Sequence, residues 1–323
     1  MINLTTVMYH YVRNIKESRY PDIKGLELKD FIEQIEYMMK HYNFVTIEQI
    51  ISSYEGGEPL PEKAILLTFD DAYAEHFNFV YPILKKYNIQ GCFYPPASVI
   101  TDNVLLDVNK IHFILASAKN HDDLVKEIER LLIKYKSEFK LNDFDYYYNK
   151  LAIADRFDTA QVIFIKRLLQ HELDEKLRNK IADELFKKYV EIGEKAFCQE
   201  LYMNEQQIEH LIRDGMHVGS HGYNHNWWNK LTFSDLEKEI DLSMDFLQHV
   251  GADMENWTAC YPYGGYNKKV VDLLSKMNCK LAFTTEVDIA DITVMNRLMI
   301  PRLDTNDIPK QSGATPNKWF SKA

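Results

Sequence analysis

Residues 65–71 read ILLTFDD, and this stretch decides the fold because an unbroken apolar run ends there in two adjacent carboxylates, Asp70 and Asp71. A short apolar run of this kind predicts a fully buried strand. In open α/β sheets, ligands bind just beyond the carboxyl ends of such strands. Adjacent carboxylates repel each other, and a cation bound by one of them, with the other left as a base, explains the pair most simply. The alternative is a helix N-cap, since Asp is favoured there and residues 75–87 have a helical pattern.

Strand and helix patterns alternate on both sides of this stretch. Before it, residues 2–9 predict a strand and residues 29–42 an amphipathic helix. After it come a helix and a strand, and the same order resumes near residue 204 with helices at 204–213, 235–250 and 268–277 and strands at 216–220, 257–261 and 281–284. Such an order indicates a parallel sheet wrapped by helices.

The segment 107–197 interrupts the alternation. It is rich in Lys, Glu, Leu and Ile at helical spacing, with Gly193 as its one glycine and no proline. We expect an all-helical insertion, either a lid over the active face or a packing appendage, carried on an α/β domain of residues 1–106 and 198–307. Residues 308–323 are polar and are expected to form a surface tail.

Composition restricts the function further. The 48 acidic and 38 basic residues give a net charge of −10, which argues against a nucleic-acid backbone as the main partner. The four cysteines show no CxxC spacing, so reduced thiols are expected. The N-terminus lacks the features of a signal peptide, and no apolar run reaches bilayer-spanning length, so a cytoplasmic location is expected.

Two histidines four residues apart, His221 and His225, follow directly on the predicted strand 216–220. Gly222 and the neighbouring asparagines argue against a regular helix there, so the pair is predicted to lie on a loop. Neutral imidazoles near a carboxylate suit a divalent transition metal, and two His with one Asp leave coordination positions open. An incidental polar turn is the alternative.

Residues 260–265 read CYPYGG and again follow a predicted strand. Proline and glycine together let the backbone turn sharply and can aim an amide N–H at a reacting group. An ordinary turn with two packed aromatic rings is the alternative.

These three segments together resemble the polysaccharide deacetylases with the NodB homology domain, carbohydrate esterase family 4. Residues 68–71 are similar to the family's first motif, which makes Asp70 the catalytic base and Asp71 a metal ligand. His221 and His225 match the second motif, which supplies two further ligands. The third motif lines the substrate groove and gives a backbone N–H to the oxyanion; its counterparts here are Tyr261, Pro262, Tyr263 and Gly264. The resemblance covers residues 1–100 and 200–307 and implies a distorted (β/α)7-type barrel with an all-helical insertion.

The chain departs from the family's pattern at several positions. Ala72 stands where the first motif usually has Gly, and Gly222 where the second usually has Ser or Thr, which should alter local geometry without removing a chemical group. Cys260 takes the place of an Arg that pairs with the base. The family's last motif places a general-acid His near the C-terminus, but residues 250–323 contain no histidine.

One branch, the biofilm poly-N-acetylglucosamine deacetylases, has a circularly permuted order with the acid His on the first strand. Residues 8–11, MYHY, fit that branch and make His10 the candidate acid; a satisfied core histidine is the alternative. Residues 296–307 also resemble this branch. We hypothesise that Arg302 replaces the missing arginine beside Asp70 and that Asp304 orients His10, with surface ion pairs as the alternative. The first strand and the strand 65–71 should then be neighbours.

The resemblance implies a metal-dependent N-deacetylase. One divalent ion, Zn²⁺ or alternatively Co²⁺, Ni²⁺ or Mn²⁺, would acidify a water from which Asp70 removes the proton. The metal and the N–H of Tyr263 would hold the oxyanion, and His10 would protonate the leaving amine. The expected substrate is an acetamido sugar, either on a nucleotide or lipid carrier or in a short glycan.

Two other classes of function compete with this reading. A non-haem iron oxygenase also uses two His and one carboxylate, but its HxD spacing is absent and the second Asp would have no role. A non-catalytic glycan-binding or assembly protein on the same fold is made conceivable by Ala72 and Cys260.

Overall fold

The computed structural model describes residues 2–154 and 158–323, and the chain divides into two compact units. The described strands all lie in the unit formed by Met1–Asn14, Gly25–Val104 and Cys198–Ala323; the other unit, Ile15–Lys24 and Leu105–Phe197, is helical. The expected boundaries therefore shift in two places. Residues 15–24 join the helical unit, where the Tyr20 ring packs edge-on against Phe113, and the 308–323 tail joins the strand-bearing unit.

Numbered in chain order, the strands are β1 (Asn3–Tyr9), β2 (Val12–Arg13), β3 (Leu26–Glu27), β4 (Asn43–Phe44), β5 (Ala64–Asp70), β6 (Gly91–Tyr94), β7 (His217–Val218), β8 (Thr258–Cys260), β9 (Leu281–Phe283), β10 (Ala290–Asp291) and β11 (Leu303–Asp304). The helices of the strand-bearing unit are α1 (Leu28–His41), α2 (Ile47–Tyr54), α3 (Tyr81–Lys86), α4 (Ala97–Thr101), α11 (Glu205–Arg213), α12 (Phe233–His249), α13 (Lys268–Lys276) and α14 (Lys318–Lys322). Those of the helical unit are α5 (Asp107–Ser117), α6 (His121–Phe139), α7 (Phe144–Leu151), α8 (Ala160–Arg167), α9 (Glu175–Tyr189) and α10 (Glu194–Leu201), whose last residues cross into the strand-bearing unit.

Parallel strands close into a distorted barrel in the strand-bearing unit. Strand β1 pairs with β5, β5 with β6, and β6 with β7. A bridge from Ser220 to Ala259 continues the ring to β8, which pairs with β9. A second bridge from Phe283 to Ile300 leads to β11, and β11 pairs with β1. Within the described residues the ring thus returns to its first strand, which confirms the predicted NodB-type α/β barrel.

The strand that decides the fold is the longest of the described strands that are buried throughout. Every residue of β5 is buried, and its register with β1 aligns Tyr9 with Phe69, so that the two strands end at the same level. This confirms that the first strand and the 65–71 strand are neighbours. The Phe69 ring stacks between Tyr9 and Phe93 at centroid distances of 5.0 Å on either side. Each such aromatic contact adds about 0.5–1.5 kcal/mol beyond its buried area.

The predicted helix 75–87 begins irregularly. Residues His76–Val80 form a π-helical turn, and only Tyr81–Lys86 are α-helical. Pro82 explains the break, because it has no N–H to donate to the carbonyl of Asn78 in an α-helix. The turn buries His76 and places its Nε2 2.7 Å from the carbonyl of His10, the residue after β1.

The helical unit has buried apolar side chains of its own, and it also buries one lysine, whose ammonium contacts two partly exposed carboxylates. Lys110 is buried, and its Nζ lies 2.6 Å from Asp183 and 3.0 Å from Glu194.

Residues 155–157, which fall in the predicted insertion, lie outside the described part of the chain. No helix in the described ranges is both long and apolar enough to span a bilayer.

The C-terminal tail is attached rather than loose. Trp319 donates from Nε1 to Asp307 at 3.0 Å, and the Lys63 ammonium donates to the Phe320 carbonyl at 2.7 Å. These bonds explain why residues 308–323 belong to the strand-bearing unit.

Buried His217 makes the fold sensitive to acid. Burial lowers the pKa of His217 from 6.5 to about 4, and its Nε2 lies 2.7 Å from Thr258 Oγ1. Between these pH values the unfolded chain binds a proton that the folded chain does not, so stability falls as the pH drops through this window. In His217→Asn, the loss of unfolding free energy between about pH 7.5 and pH 5 should be smaller by roughly 2 kcal/mol.

Urea unfolding of the metal-free protein at both pH values measures this difference. His249→Asn is the comparison, because it makes the same substitution at an imidazole that is 64% exposed instead of buried. An unchanged pH dependence in His217→Asn would contradict the assignment.

Candidate active site

The end of β5 turns sharply and separates the two carboxylates. Asp70 is the last residue of the strand, and Asp71 and Ala72 follow in the left-handed region with φ of 72° and 57°. This conformation costs an alanine roughly 1–2 kcal/mol, which explains why glycine is usual at the position of Ala72. As a result, Asp70 and Asp71 have different partners.

Asp71 meets the two histidines of the second motif. Its Oδ1 lies 3.6 Å from His221 Nε2 and 3.5 Å from His225 Nε2, and all three side chains are buried. His221 donates from Nδ1 to the Cys260 carbonyl at 2.8 Å, which leaves its Nε2 as an acceptor. Among the described residues, Asp71 Oδ1 has no hydrogen-bond partner.

Asp71, His221 and His225 form a group that could hold a metal ion, and the pKa shifts of Asp71 and His225 bear on this possibility. Burial lowers the pKa of His225 to about 3 although Asp71 opposes the shift, so its imidazole is neutral near pH 7. Burial alone would raise the pKa of Asp71, but its interactions with the neighbouring histidines, His225 first, lower this pKa. A buried, unpartnered carboxylate oxygen facing two imidazole nitrogens fits a divalent transition metal.

Asp70 faces Arg302 instead of the histidines. Arg302 Nη1 donates to Asp70 Oδ1 at 2.9 Å, and Nη2 forms an ion-pair contact of 2.9 Å with Oδ2. The guanidinium also donates from Nε to the Thr284 carbonyl and is fully buried. Burial opposes ionisation of Asp70, but Arg302 outweighs it and holds the pKa of Asp70 far below its usual range. The structure therefore brings Arg302 from the C-terminal segment onto the predicted base.

His10 lies at the end of β1, beside the predicted base Asp70. Its Nε2 is 4.0 Å from Asp70 Oδ2, and its side chain is 41% exposed, unlike a satisfied core histidine. The His10 carbonyl accepts a hydrogen bond of 2.7 Å from Nε2 of the buried His76. The backbone at His10 is therefore fixed while its imidazole reaches solvent.

Asp304 does not orient His10. Its Oδ1 accepts hydrogen bonds from the backbone and side-chain nitrogens of Asn306, at 2.9 and 2.7 Å. Together with Asp307 it forms a capping box on the short 3₁₀ turn that follows β11. The sequence-based role for Asp304 is thus wrong, because the carboxylate satisfies its own chain.

The third motif divides between core and site. Tyr261 and Pro262 are buried, and the Tyr261 hydroxyl donates to the Leu298 carbonyl at 2.7 Å, so these two do not line a groove as expected. Tyr263 is half-buried, with a left-handed φ of 56° and its ring centroid 4.4 Å from that of His225. Gly264 is also half-buried, and a Cβ there would meet Thr285 Oγ1 at 2.1 Å.

Two supporting residues were missed from the sequence. Tyr73 donates its hydroxyl to Asp71 Oδ2 at 2.7 Å. The buried Glu239 accepts from the backbone and side-chain nitrogens of Asn224, at 2.6 and 3.0 Å, and so anchors the histidine loop. A signal for Glu239 was available, because it lies on the apolar stripe of α12 between Leu236 and Ile240. Nothing in the sequence singled out Tyr73.

The histidine loop requires glycine at position 222. Its φ is +76°, and an added Cβ would lie 3.0 Å from both Glu239 Oε1 and Trp228 Nε1. Gly222→Ser, which installs a residue usual in the family, should therefore lower the unfolding free energy by about 1–3 kcal/mol in urea denaturation.

Gly313→Ser is the matched control, since an added Cβ there meets no atom of the described chain within 4 Å and its φ is not left-handed. It should change stability by less than about 0.5 kcal/mol. Equal losses in the two variants would show that the loop tolerates a side chain.

Comparison with known proteins gives consistent matches. The family model described as polysaccharide deacetylase matches residues 57–131 and 183–282. A curated relative, the poly-beta-1,6-N-acetyl-D-glucosamine N-deacetylase of Escherichia coli K12, is 33% identical over 94 residues, which are 28% of this chain and 14% of the relative. The chain thus matches only a small part of that relative's length.

Solved structures match the fold over nearly the whole chain. The deacetylase PplD of Streptococcus pyogenes, solved in complex with acetate, has a TM-score of 0.58 at 16% identity, covering 94% of this chain and 92% of that one. IcaB from Ammonifex degensii has a TM-score of 0.55 at 17% identity, and the match covers 100% of this chain and 98% of that one. The BpsB deacetylase domain of Bordetella bronchiseptica has a TM-score of 0.55 at 16% identity, and the match covers 94% of this chain and 96% of that one.

Proposed function

Because this chain belongs to the polysaccharide deacetylase family, we propose that it hydrolyses the N-acetyl amide of a glycan at the cluster formed by Asp70, Asp71, His221 and His225. The observation that carries the proposal is the buried Oδ1 of Asp71, which faces two imidazole nitrogens and has no hydrogen-bond partner in the described chain. A separately paired carboxylate, Asp70, stands next to it.

Each residue has a distinct part. Asp71, His221 and His225 would hold one divalent ion, with Zn²⁺ the first choice for two imidazoles and one carboxylate and Co²⁺, Ni²⁺ or Mn²⁺ as alternatives. When bound, such an ion acidifies water and polarises an amide carbonyl. Asp70 accepts the proton of the attacking water, and Arg302 keeps Asp70 ionised and fixes its orientation.

The leaving amine needs a proton, and His10 is placed to give it. Its imidazole is half-exposed, so it can contact the substrate. Its Nε2 lies 4.0 Å from Asp70 Oδ2, so the proposed acid and the proposed base stand on the same side of the site. The N–H of Tyr263, at a left-handed turn beside His225, is the proposed donor to the oxyanion.

The substrate class follows from the relatives rather than from the site. From the sequence we expected a carrier-linked or short acetamido sugar, whereas the curated relative is named for a β-1,6-linked N-acetylglucosamine polymer. We therefore propose an N-acetylated glycan chain as the substrate. The short and carrier-linked acetamido sugars are included in the test as alternative substrates.

Acetate release tests the function and the substrate together. The purified protein is incubated with Zn²⁺ and with β-1,6-linked and β-1,4-linked N-acetylglucosamine oligomers, a nucleotide-linked acetamido sugar and free N-acetylglucosamine. We expect the fastest release from an oligomer. Glycan binding without acetate from any substrate would favour a non-catalytic binding protein, and oxygen consumption with an iron-loaded protein would favour an oxygenase.

A further inference from the structure

The two oxygens of the Asp71 carboxylate are in different environments. Oδ2 accepts a 2.7 Å hydrogen bond from the hydroxyl of Tyr73, and both side chains are buried. Oδ1 has no hydrogen-bond partner in the described chain and lies within 3.6 Å of Nε2 of both histidines. One oxygen is therefore occupied by the protein, and the other is left for a ligand.

Tyr73 is itself held in place. Its ring stacks on Tyr11 with centroids 4.1 Å apart, and the edge of the ring packs against His76. The hydroxyls of Tyr11 and Tyr73 are hydrogen-bonded to each other. An ionised carboxylate only accepts hydrogen bonds, so Tyr73 donates to Asp71 and its oxygen accepts from Tyr11. This buried chain of donors fixes the Tyr73 hydroxyl against Oδ2.

We propose that Tyr73 is a positioning residue that ties up Asp71 Oδ2 and so presents Asp71 to a divalent metal ion through Oδ1 alone. The inference rests on the proposed function, since it concerns the same metal-ligand set. The occupied Oδ2 should also affect which metal ion binds. A carboxylate with both oxygens free can bind a larger, harder cation through two oxygens, whereas one oxygen and two imidazoles suit a small transition-metal ion with open coordination positions.

Tyr73→Phe tests the inference because it keeps the ring and removes only the hydroxyl. The metal-stripped protein is titrated with Zn²⁺ and with Co²⁺ in competition with a chromophoric chelator. Loss of a partner that orients a ligand typically weakens metal affinity about 10–100-fold, and we expect that loss for Tyr73→Phe. The visible absorption of the Co²⁺ form should also change, because the freed Oδ2 alters the coordination.

Tyr9→Phe is the matched control. The Tyr9 hydroxyl is also buried, but it bonds Gln34 Oε1 at 3.2 Å, away from the ligands. This variant should bind both ions with wild-type affinity. Tyr11→Phe is a second test that leaves Tyr73 intact and removes its donor, so a smaller weakening is expected; it also serves if Tyr73→Phe does not fold.

The outcomes separate the two proposals. If the wild type binds Zn²⁺ and Co²⁺ but the affinities and the Co²⁺ spectrum are unchanged in Tyr73→Phe, the role of Tyr73 is overturned and the proposed function stands. Unchanged binding in Tyr11→Phe has the same meaning if Tyr73→Phe is unfolded. If the wild type binds neither ion, the proposed function itself fails.

Discussion

Asp70→Asn is expected to lower kcat for acetate release by roughly 10²–10⁴-fold, the usual contribution of a general base. The amide has nearly the same shape but cannot take up the proton of the attacking water. Zn²⁺ affinity should stay close to that of the wild type, because Asp71, His221 and His225 are unchanged. Steady-state acetate release and Zn²⁺ titration of the same preparation measure the two effects.

Asp304→Asn is the control for this substitution. Asp304 caps a turn at the same edge of the barrel, and asparagine caps as well as aspartate, so activity and stability should be retained. Substantial turnover by Asp70→Asn would show that Asp70 is not the general base. Loss of Zn²⁺ binding in Asp70→Asn would instead make Asp70 a metal ligand.

The second large effect is expected for Arg302→Met, which removes the cation beside the proposed base Asp70. Asp70 would then be a buried carboxylate without its counter-charge, and breaking a buried pair in this way costs about 3–5 kcal/mol. Activity should fall as well, because nothing else in the described site donates two contacts to Asp70. Arg302→Lys keeps the charge without the planar fork and should recover only part of both losses. Urea unfolding and acetate release measure the two quantities.

Arg297→Met provides the comparison five residues earlier in the same segment. The Arg297 guanidinium is 39% exposed and 3.8 Å from Glu55, so its removal should change stability by less than about 1 kcal/mol. If Arg302→Met were as stable and active as Arg297→Met, the pairing with Asp70 would have no energetic or catalytic importance.

The sequence predicted those parts of the fold that depend on local pattern. The apolar run before Asp70 fixed β5, and the missing C-terminal histidine led to His10 and to the pairing of β1 with β5, which the register confirms. The sequence also predicted that two histidines and a carboxylate at strand ends lie close together, and the barrel brings Asp71, His221 and His225 together.

The errors concern which hydrogen-bond partner a side chain takes. Tyr261 was placed at the groove from its motif, but its hydroxyl reaches the carbonyl of Leu298 in the core. Asp304 could have been read correctly, since the sequence Asp-Thr-Asn-Asp at 304–307 is typical of a cap and asparagine and aspartate favour such turns. The contact of Cys260 Sγ with Arg302 Nη1, at 3.2 Å, shows how a small residue makes room for an arginine from elsewhere in the chain.

The most direct test of the account is acetate release by the metal-stripped protein as Zn²⁺ is added back in measured amounts. We expect no release without metal and full release once a single ion is bound per chain, with no recovery in His225→Ala because a ligand is missing. Release at the full rate from the stripped protein, or from His225→Ala, would contradict a metal-dependent deacetylase built on Asp71, His221 and His225.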